Sequence, residues 1–196
     1  MQDYIIAEYK KTSDLITRIT GDDHFLNIVQ EIVKRMVKCL SGGGKVMFCG
    51  NGGSAADSQH LAAELVVRLN FDRPALNAIA LTVDSSALTA TGNDYGYDYV
   101  FSRQVEGLGR GGDILICISA SGRSKNVLLA AEAAKKKGIV TIGFLGQDGR
   151  DIGSIVDIQL NIPSSETPKI QEGHIMSGHI ICALVEEKMF GEEFNK

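Results

Sequence analysis

Apolar residues recur at helical spacing in the first forty residues of the chain. The clearest set comprises Phe25, Ile28, Val29, Ile32, Val33, Met36, Val37 and Leu40. This pattern stops at Ser41 and the three glycines that follow it, and Tyr4 to Ile19 carries a similar amphipathic pattern ahead of it. The spacing predicts a helical hairpin over residues 1–42.

From residue 45 the pattern changes to short apolar runs separated by helical segments. The runs are 45–49, 77–81, 113–118, 139–144 and 156–160, and the helices between and after them are predicted at Ser54–Leu69, Ser85–Thr91, Tyr97–Leu108, Ser124–Lys137 and Lys169–Phe190. Apolar strands alternating with helices are typical of a parallel sheet covered on both faces. We predict an α/β fold, a doubly wound five-stranded parallel sheet over residues 45–190, within a single domain of residues 1–196.

The last predicted helix is apolar around nearly its whole circumference. The apolar positions are Ile175, Met176, Ile180, Ile181, Cys182, Leu184, Val185 and Met189. A helix without a polar side is buried on most of its surface. We therefore expect it to pack against a second subunit as well as against its own sheet.

Composition narrows the classes of protein. The net charge of −4 argues against nucleic acid as the main partner, because phosphate backbones select basic surfaces. No apolar run reaches the roughly 18 residues that span a membrane, and the N-terminal residues lack the features of a signal peptide, so we expect a cytoplasmic protein without a membrane partner. The four cysteines show no metal-binding spacing and are expected to be buried, reduced thiols.

Two loops that follow predicted strands have the composition of anion sites. They are Gly50–Ser54, after the first strand, and Ser119–Ser124, after the third. Free backbone N–H groups at the start of a helix favour phosphate. Helix capping by Ser54 and Ser124 is the simpler interpretation, but it leaves the three hydroxyls of the second loop unexplained. The first loop also matches a dinucleotide fingerprint weakly, and the acidic residue expected about 20 positions later is absent.

Polar residues on two helices are candidates for chemistry. His60 and Glu64 are four residues apart, which is the spacing of metal ligands or an acid–base pair, although for these two alone a surface pair is the simpler interpretation. On the last helix, His174 is expected to be a core or interface histidine. His179 stands among apolar residues, and its own surroundings leave a structural and a functional role equally open.

Four segments together resemble the sugar isomerase (SIS) domain family and, within it, the phosphoheptose isomerases. These are CGNGGSAADSQHLAAEL (49–65), ALTATGNDYGYDYVFSRQVEGLG (87–109), GDILICISASGRSKNV (112–127) and IQEGHIMSGHIIC (170–182). They occur in the family's order and span most of the chain. The resemblance implies a flavodoxin-like SIS fold.

The resemblance also implies the residues of the site. Those of the sugar-phosphate site are Asn51, Gly52, Gly53, Ser54, Glu64, Asn93, Asp94, Ser119, Ala120, Ser121, Ser124 and Gln171. Those matching the family's zinc ligands are His60, Glu64, Gln171 and His179, with one Zn²⁺ per subunit. Glu64 and His179 would form the acid–base pair. The family's serine loop usually reads Ser-Thr-Ser-Gly-Asn-Ser, and here Ala120 removes a hydroxyl while Arg123 adds a charge, which bears on substrate specificity.

The activity implied is the isomerisation of sedoheptulose 7-phosphate to D-glycero-D-manno-heptose 7-phosphate through an enediol or enediolate. Family members are homotetramers that open the pathway to nucleotide-activated heptose for lipopolysaccharide or capsule. Two alternatives are a non-catalytic SIS protein that senses phosphosugars or binds a protein, and an enzyme of the same fold acting on a hexose or amino sugar. The first would have no reason to keep both Glu64 and His179.

Helix geometry adds one expectation about the metal. Gln171 and His179 are eight positions apart, about 12 Å along a helix at 1.5 Å per residue. Both reach one zinc only if the ion lies between them at full side-chain extension or if two subunits contribute ligands. We expect a site at or near a subunit interface.

A zinc-bound Glu64 is also a weaker base, so either its coordination changes during turnover or the metal is partly structural or regulatory.

Overall fold

The computed structural model describes residues 1–194, in which helices and strands alternate after an N-terminal helical pair. The elements are α1 (Gln2–Thr20), α2 (Asp23–Ser41), β1 (Val46–Gly50), α3 (Gly53–Val66), β2 (Ala78–Ala80), α4 (Ser85–Asp94), a 3₁₀ turn (Tyr97–Tyr99), α5 (Ser102–Leu108), β3 (Ile114–Ser119), α6 (Lys125–Lys136), β4 (Val140–Gly146), α7 (Arg150–Gly153), β5 (Ile158–Ile162) and α8 (Thr167–Phe194).

The five strands form one parallel sheet in the order β2-β1-β3-β4-β5. This confirms the predicted fold class. The chain passes outward from β1 to β2 and then returns to the other side of β1 to form β3. The strand order therefore reverses between β1 and β3, which is where open α/β sheets bind ligands.

Successive residues of the central strands enter different cores, one on each face of the sheet. In β1, Val46 and Phe48 join the core formed with α2, α3 and α8, whereas Met47 and Cys49 join the core formed with α5 and α6. Side chains alternate across a strand, so a strand covered on both faces must be apolar throughout. This is why β1 and β3 are continuous apolar runs in the sequence.

The two N-terminal helices differ in how they are held. The Asp22 carboxylate caps α2 by accepting hydrogen bonds from the backbone N–H of His24 at 2.9 Å and of Phe25 at 3.2 Å, and the helix ends at Gly42. Helix α1 buries only Leu15 and leaves Tyr4 and other large apolar side chains exposed. The exposed side of α1 therefore carries large apolar side chains that its own chain leaves uncovered.

The predicted continuous helix from Tyr97 to Leu108 is wrong. The chain forms a 3₁₀ turn and then α5, and the buried Val100 and Phe101 lie at the corner between them. The side-chain amide of Gln104 fixes this corner by donating to the carbonyls of Leu81 and Val100. The apolar residues buried in these two separate elements are spaced in the sequence as they would be in one helix, which explains the wrong prediction.

Other element boundaries moved by a few residues, and α7 was not predicted. Helix α8 begins two residues earlier than expected and continues to Phe194. One of its apolar residues, Ile180, is 55% exposed, so the chain alone does not bury the helix on all sides. The expected packing of α8 against a second subunit stays a prediction.

The remaining expectations concern thiols and membranes. All four cysteines are free and buried, which confirms the expected reduced thiols. Within residues 1–194, the helices lack the combination of length and apolar character needed to cross a bilayer.

Candidate active site

The two predicted anion loops meet at one edge of the sheet. Parallel pairing sets Gly50, the last residue of β1, beside Ile118 of β3. The loops that follow these strands therefore lie side by side where the strand order reverses. This is the place that the strand pattern predicted for ligand binding.

A reciprocal amide pair ties the two loops together. The Asn51 side-chain nitrogen donates to Asn126 Oδ1 at 2.8 Å, and the Asn126 nitrogen donates to Asn51 Oδ1 at 2.9 Å. The Tyr97 hydroxyl also donates to Asn51 Oδ1 at 2.9 Å. The side chain of Asn51 thus holds the loops in place, which leaves the backbone of this loop to face a ligand.

The glycines of the first loop allow a close approach of its backbone to α8. Gly52 has a φ of +56°, a conformation that side chains rarely adopt. A Cβ atom at Gly53 would lie 2.7 Å from Nε2 of Gln171, so a larger residue there would displace this side chain. The fold therefore brings Gln171 to the first loop.

The hydroxyls of the second loop converge. Ser119 Oγ lies 3.1 Å from Ser124 Oγ and 3.5 Å from Ser121 Oγ. Ser124 precedes α6 but makes no side-chain capping bond, and Ser54 lies inside α3 behind its N-cap residue, Gly52. Ser124 therefore holds the predicted N-cap position without a side-chain capping bond, whereas the prediction of Ser54 as an N-cap residue is wrong. Three adjacent hydroxyls suit the acceptor oxygens of a phosphoryl group.

Two further residues of the second loop are those that depart from the family pattern. Ala120 is partly buried against the sheet, where its carbonyl oxygen would lie 2.5 Å from a Cβ atom at Gly146. Arg123 is exposed and makes no ion pair with the side chains that the structure describes. Its charge is thus available to an anionic ligand beside the serines.

Asn93 and Asp94 end α4 on the exposed side of the site. The Asn93 amide donates to Asp94 Oδ1 at 2.8 Å, and both residues are exposed. Tyr97, three residues after Asp94, reaches Asn51 and so places this segment beside the first loop. Both side chains remain open to a ligand.

Helices α3 and α8 bring three of the predicted ligands together. Nε2 of His60 lies 2.7 Å from Nε2 of His179 and 3.3 Å from Oε1 of Glu64. The helices approach closely because Gly178 lies against Leu61, where a Cβ atom would be 2.7 Å from the leucine side chain. His60 and Glu64 alone would fit a surface contact. His179, 119 positions later in the sequence, lies against this pair and completes a cluster of three.

This cluster has the donor set of a metal site. The ligand atoms of His60, Glu64 and His179 lie within 4.8 Å of one another. Two imidazoles and one carboxylate are the protein ligands of many catalytic zinc sites, which keep a further position for water or substrate. The three residues therefore fit a divalent metal ion. Gln171 lies beside the first loop, about two helical turns from His179 along α8, and its role as a metal ligand stays a prediction.

Asp57 belongs to the same surroundings and was not found by sequence reasoning. Its Oδ2 atom is buried without a hydrogen-bond partner among the described residues. Burial raises the pKa of this carboxyl, and the nearby charges of His60 and His179 oppose the rise. The carboxyl of Asp57 therefore belongs to the electrostatic surroundings of the cluster. Its position one turn before His60 was the only signal in the sequence.

His174 has the structural role expected of it. It is fully buried, and its Nε2 lies 3.1 Å from the carbonyl oxygen of Leu145, which can only accept. Nε2 therefore carries the proton. Burial lowers the pKa of His174 to about 4, so the ring is neutral at pH 7.

Fold and site together define the class of protein. Residues 9–146 match the SIS domain family model. The phosphoheptose isomerase of Sulfurimonas denitrificans is 50% identical over all of this chain and all of its own length. The structures of the phosphoheptose isomerases from Neisseria gonorrhoeae (40% identity, TM-score 0.89) and Francisella tularensis (34% identity, TM-score 0.91) each cover 95% of this chain, which covers 98% of each. The chain belongs to the phosphoheptose isomerases of the SIS domain family.

Proposed function

We propose that the protein is an aldose–ketose isomerase that converts sedoheptulose 7-phosphate to D-glycero-D-manno-heptose 7-phosphate. The observation that carries this proposal is the cluster of His60, Glu64 and His179 beside two loops suited to a phosphate. Phosphoheptose isomerases about half identical over their whole length support the choice of substrate.

The two loops bind the sugar phosphate. The backbone N–H groups of residues 51–54 at the start of α3 and the hydroxyls of Ser119, Ser121 and Ser124 surround the phosphate oxygens. Asn93, Asp94 and Gln171 bind hydroxyls of the sugar chain. Holding the phosphate fixes the distance at which C1 and C2 of the open-chain sugar reach the cluster.

Glu64 and His179 carry out the proton transfers. Glu64 removes a proton from C1 of the ketose, which gives an enediol or enediolate, and returns a proton to C2 to form the aldose. His179 accepts the O1 proton and supplies one to O2, so atoms and charges balance over the reaction. His179 also assists ring opening.

The metal in this proposal is one Zn²⁺ per subunit, which His60, Glu64 and His179 would hold with Gln171 as a further ligand. Glu64 and His179 would leave the metal when they transfer protons. When bound, zinc supplies Lewis-acid polarisation of the carbonyl and stabilises negative charge on the enediolate oxygen. Gln171 also lies beside the first loop.

The assembly in this proposal is a homotetramer with the site near a subunit interface. Large apolar side chains exposed on α1 and α8 support it, among them Tyr4, Ile5, Tyr9 and Ile180. The placement is cytoplasmic, in line with four free cysteines. The reaction is the first step toward nucleotide-activated heptose for lipopolysaccharide or capsule.

A non-catalytic phosphosugar sensor is the alternative that the cluster disfavours. A sensor needs the two loops but has no use for an acid–base pair next to a metal site. Purified protein with zinc and sedoheptulose 7-phosphate in D₂O should form aldose carrying solvent deuterium at C2. Binding of the sugar phosphate without aldose formation would overturn the proposal, and preference for a hexose 6-phosphate would move the protein to another substrate.

A further inference from the structure

The core between α3 and α8 contains a fully buried ion pair outside the site described above. Nε of Arg73 lies 3.1 Å from Oε1 of Glu186, and both side chains have zero exposure. Removing both charges from water costs free energy, and a well-packed apolar pair is often as stable. The location of this pair therefore calls for an explanation beyond stability.

Arg73 caps the C-terminal end of α3, the helix that carries Glu64, the candidate base. Its Nη2 donates to the carbonyl of Glu64 at 2.8 Å and its Nη1 to the carbonyl of Leu65 at 2.7 Å. A longer bond of 3.4 Å reaches the carbonyl of Val67. The last carbonyls of a helix lack partners within it, and a cation at this end also meets the helix dipole favourably. The guanidinium thus holds the backbone of Glu64 itself.

Glu186 holds the following segment from α8. Its two carboxylate oxygens accept hydrogen bonds from the backbone N–H of Leu69 at 3.0 Å and of Asn70 at 2.7 Å. Glu186 follows His179 by seven residues, or two turns, and so lies on the same face of α8. One ion pair therefore links the backbone of Glu64 to the helix face that presents His179.

We propose that Arg73 and Glu186 are positioning residues that set the register of Glu64 against His179. Directional hydrogen bonds fix an orientation that apolar packing leaves looser, and ligands of a metal site need such outer support. This inference rests on the proposed function. It predicts an effect on metal binding and turnover that is larger than the effect on phosphate binding.

The test compares Glu186→Gln and Arg73→Lys with Asp113→Asn. Asp113 forms another largely buried pair, at 2.6 Å from Lys45, at the opposite, amino end of the strands. Both positioning variants should weaken Co²⁺ or Zn²⁺ binding, measured by equilibrium dialysis, about tenfold or more and lower kcat similarly. The KM for sedoheptulose 7-phosphate should stay within about threefold of wild type. Asp113→Asn should lower Tm but change neither metal affinity nor kcat.

Metal affinity separates this inference from the proposed function, because it is measured without turnover. If wild type binds metal but does not isomerise, the proposed function fails while the positioning inference is still tested. If both positioning variants bind metal as tightly as Asp113→Asn at matched Tm, the pair is only structural and the inference is overturned. Should Glu186→Gln not fold, Arg73→Lys, which keeps the charge but loses the planar fork, decides alone.

Discussion

The two ends of α3 are built in different ways. Its loop end, Gly52–Ser54, relies on backbone groups and on a second loop brought alongside by strand pairing. Its metal end, His60 and Glu64, is complete only with His179 from α8. In the proposed function, phosphate binding therefore depends on backbone geometry and strand pairing, whereas proton transfer depends on side chains from two helices, with His60 and His179 119 residues apart.

The largest expected effect comes from breaking the metal end. His179→Ala should lower kcat about 10³-fold, the scale of general acid–base catalysis, because it removes a proton carrier. The KM should change little, since the phosphate loops are intact. Steady-state kinetics on sedoheptulose 7-phosphate measures both constants. His24→Ala, at an exposed histidine in the first turn of α2, is the matched control and should behave as wild type. A full kcat in His179→Ala would remove this residue from the mechanism.

Acid should destabilise the protein through His174, a buried residue of α8 that lies between Gln171 and His179. Burial lowers its pKa to about 4, against about 6.5 in the unfolded chain. Below pH 6.5 His174 binds a proton in the unfolded chain but not in the native state, so the free energy of unfolding falls as the pH drops toward 4. The free energy of unfolding decreases by about 3 kcal/mol between these two pH values.

The measurement is urea unfolding at pH 7 and pH 4.5 for wild type and His174→Gln. The variant cannot titrate, so it should lose less stability between the two pH values than wild type does. Carboxyl groups with lowered pKa contribute acid sensitivity to both proteins equally; they are those of Glu8, Asp113, Asp157 and Glu172. An equal loss in the two proteins would show that His174 is not the sensitive group.

Breaking the loop end should give the opposite kinetic pattern. Ser119→Ala removes a hydroxyl from the phosphate site and should raise the KM roughly 10-fold, the value of one hydrogen bond to a charged group. Metal affinity should stay at the wild-type value. Kinetics together with equilibrium dialysis tests this separation, with Ser154→Ala at an exposed serine as control. A weakened metal site in Ser119→Ala would contradict the independence of the two ends.

The smallest expected effect concerns the connection between the loops. Asn126→Ala removes the buried amide that pairs with Asn51, which frees the first loop to move relative to the second. We expect a KM a few-fold higher and a loss of stability of about 1–3 kcal/mol from the unpaired groups. The urea midpoint and the KM check these values. Tyr97→Phe, which removes only one of the three hydrogen bonds, should fall between Asn126→Ala and wild type.

Much of the fold follows from apolar periodicity, because a strand covered on both faces must be apolar throughout. Exceptions occur where distant contacts outweigh local spacing. The corner at Val100 and Phe101 has the spacing of a helix, yet the bonds of Gln104 to two carbonyls turn the chain there. Helix α7, at four residues, is too short to produce a periodic signal.

The sequence alone determined the parallel α/β fold, because apolar periodicity is a local pattern, and it offered two anion loops as candidates. The joint role predicted for His60, Glu64 and His179 came from the family resemblance, since local pattern left other interpretations open. The tertiary structure decided which candidates meet. Packing of Gly178 against Leu61 brings His179 to His60. The fold also buries Asp57 Oδ2 without a hydrogen-bond partner among residues 1–194, and it pairs Asn51 with Asn126. Distances between side chains on separate elements depend on how whole helices pack, and no stretch of sequence encodes that by itself.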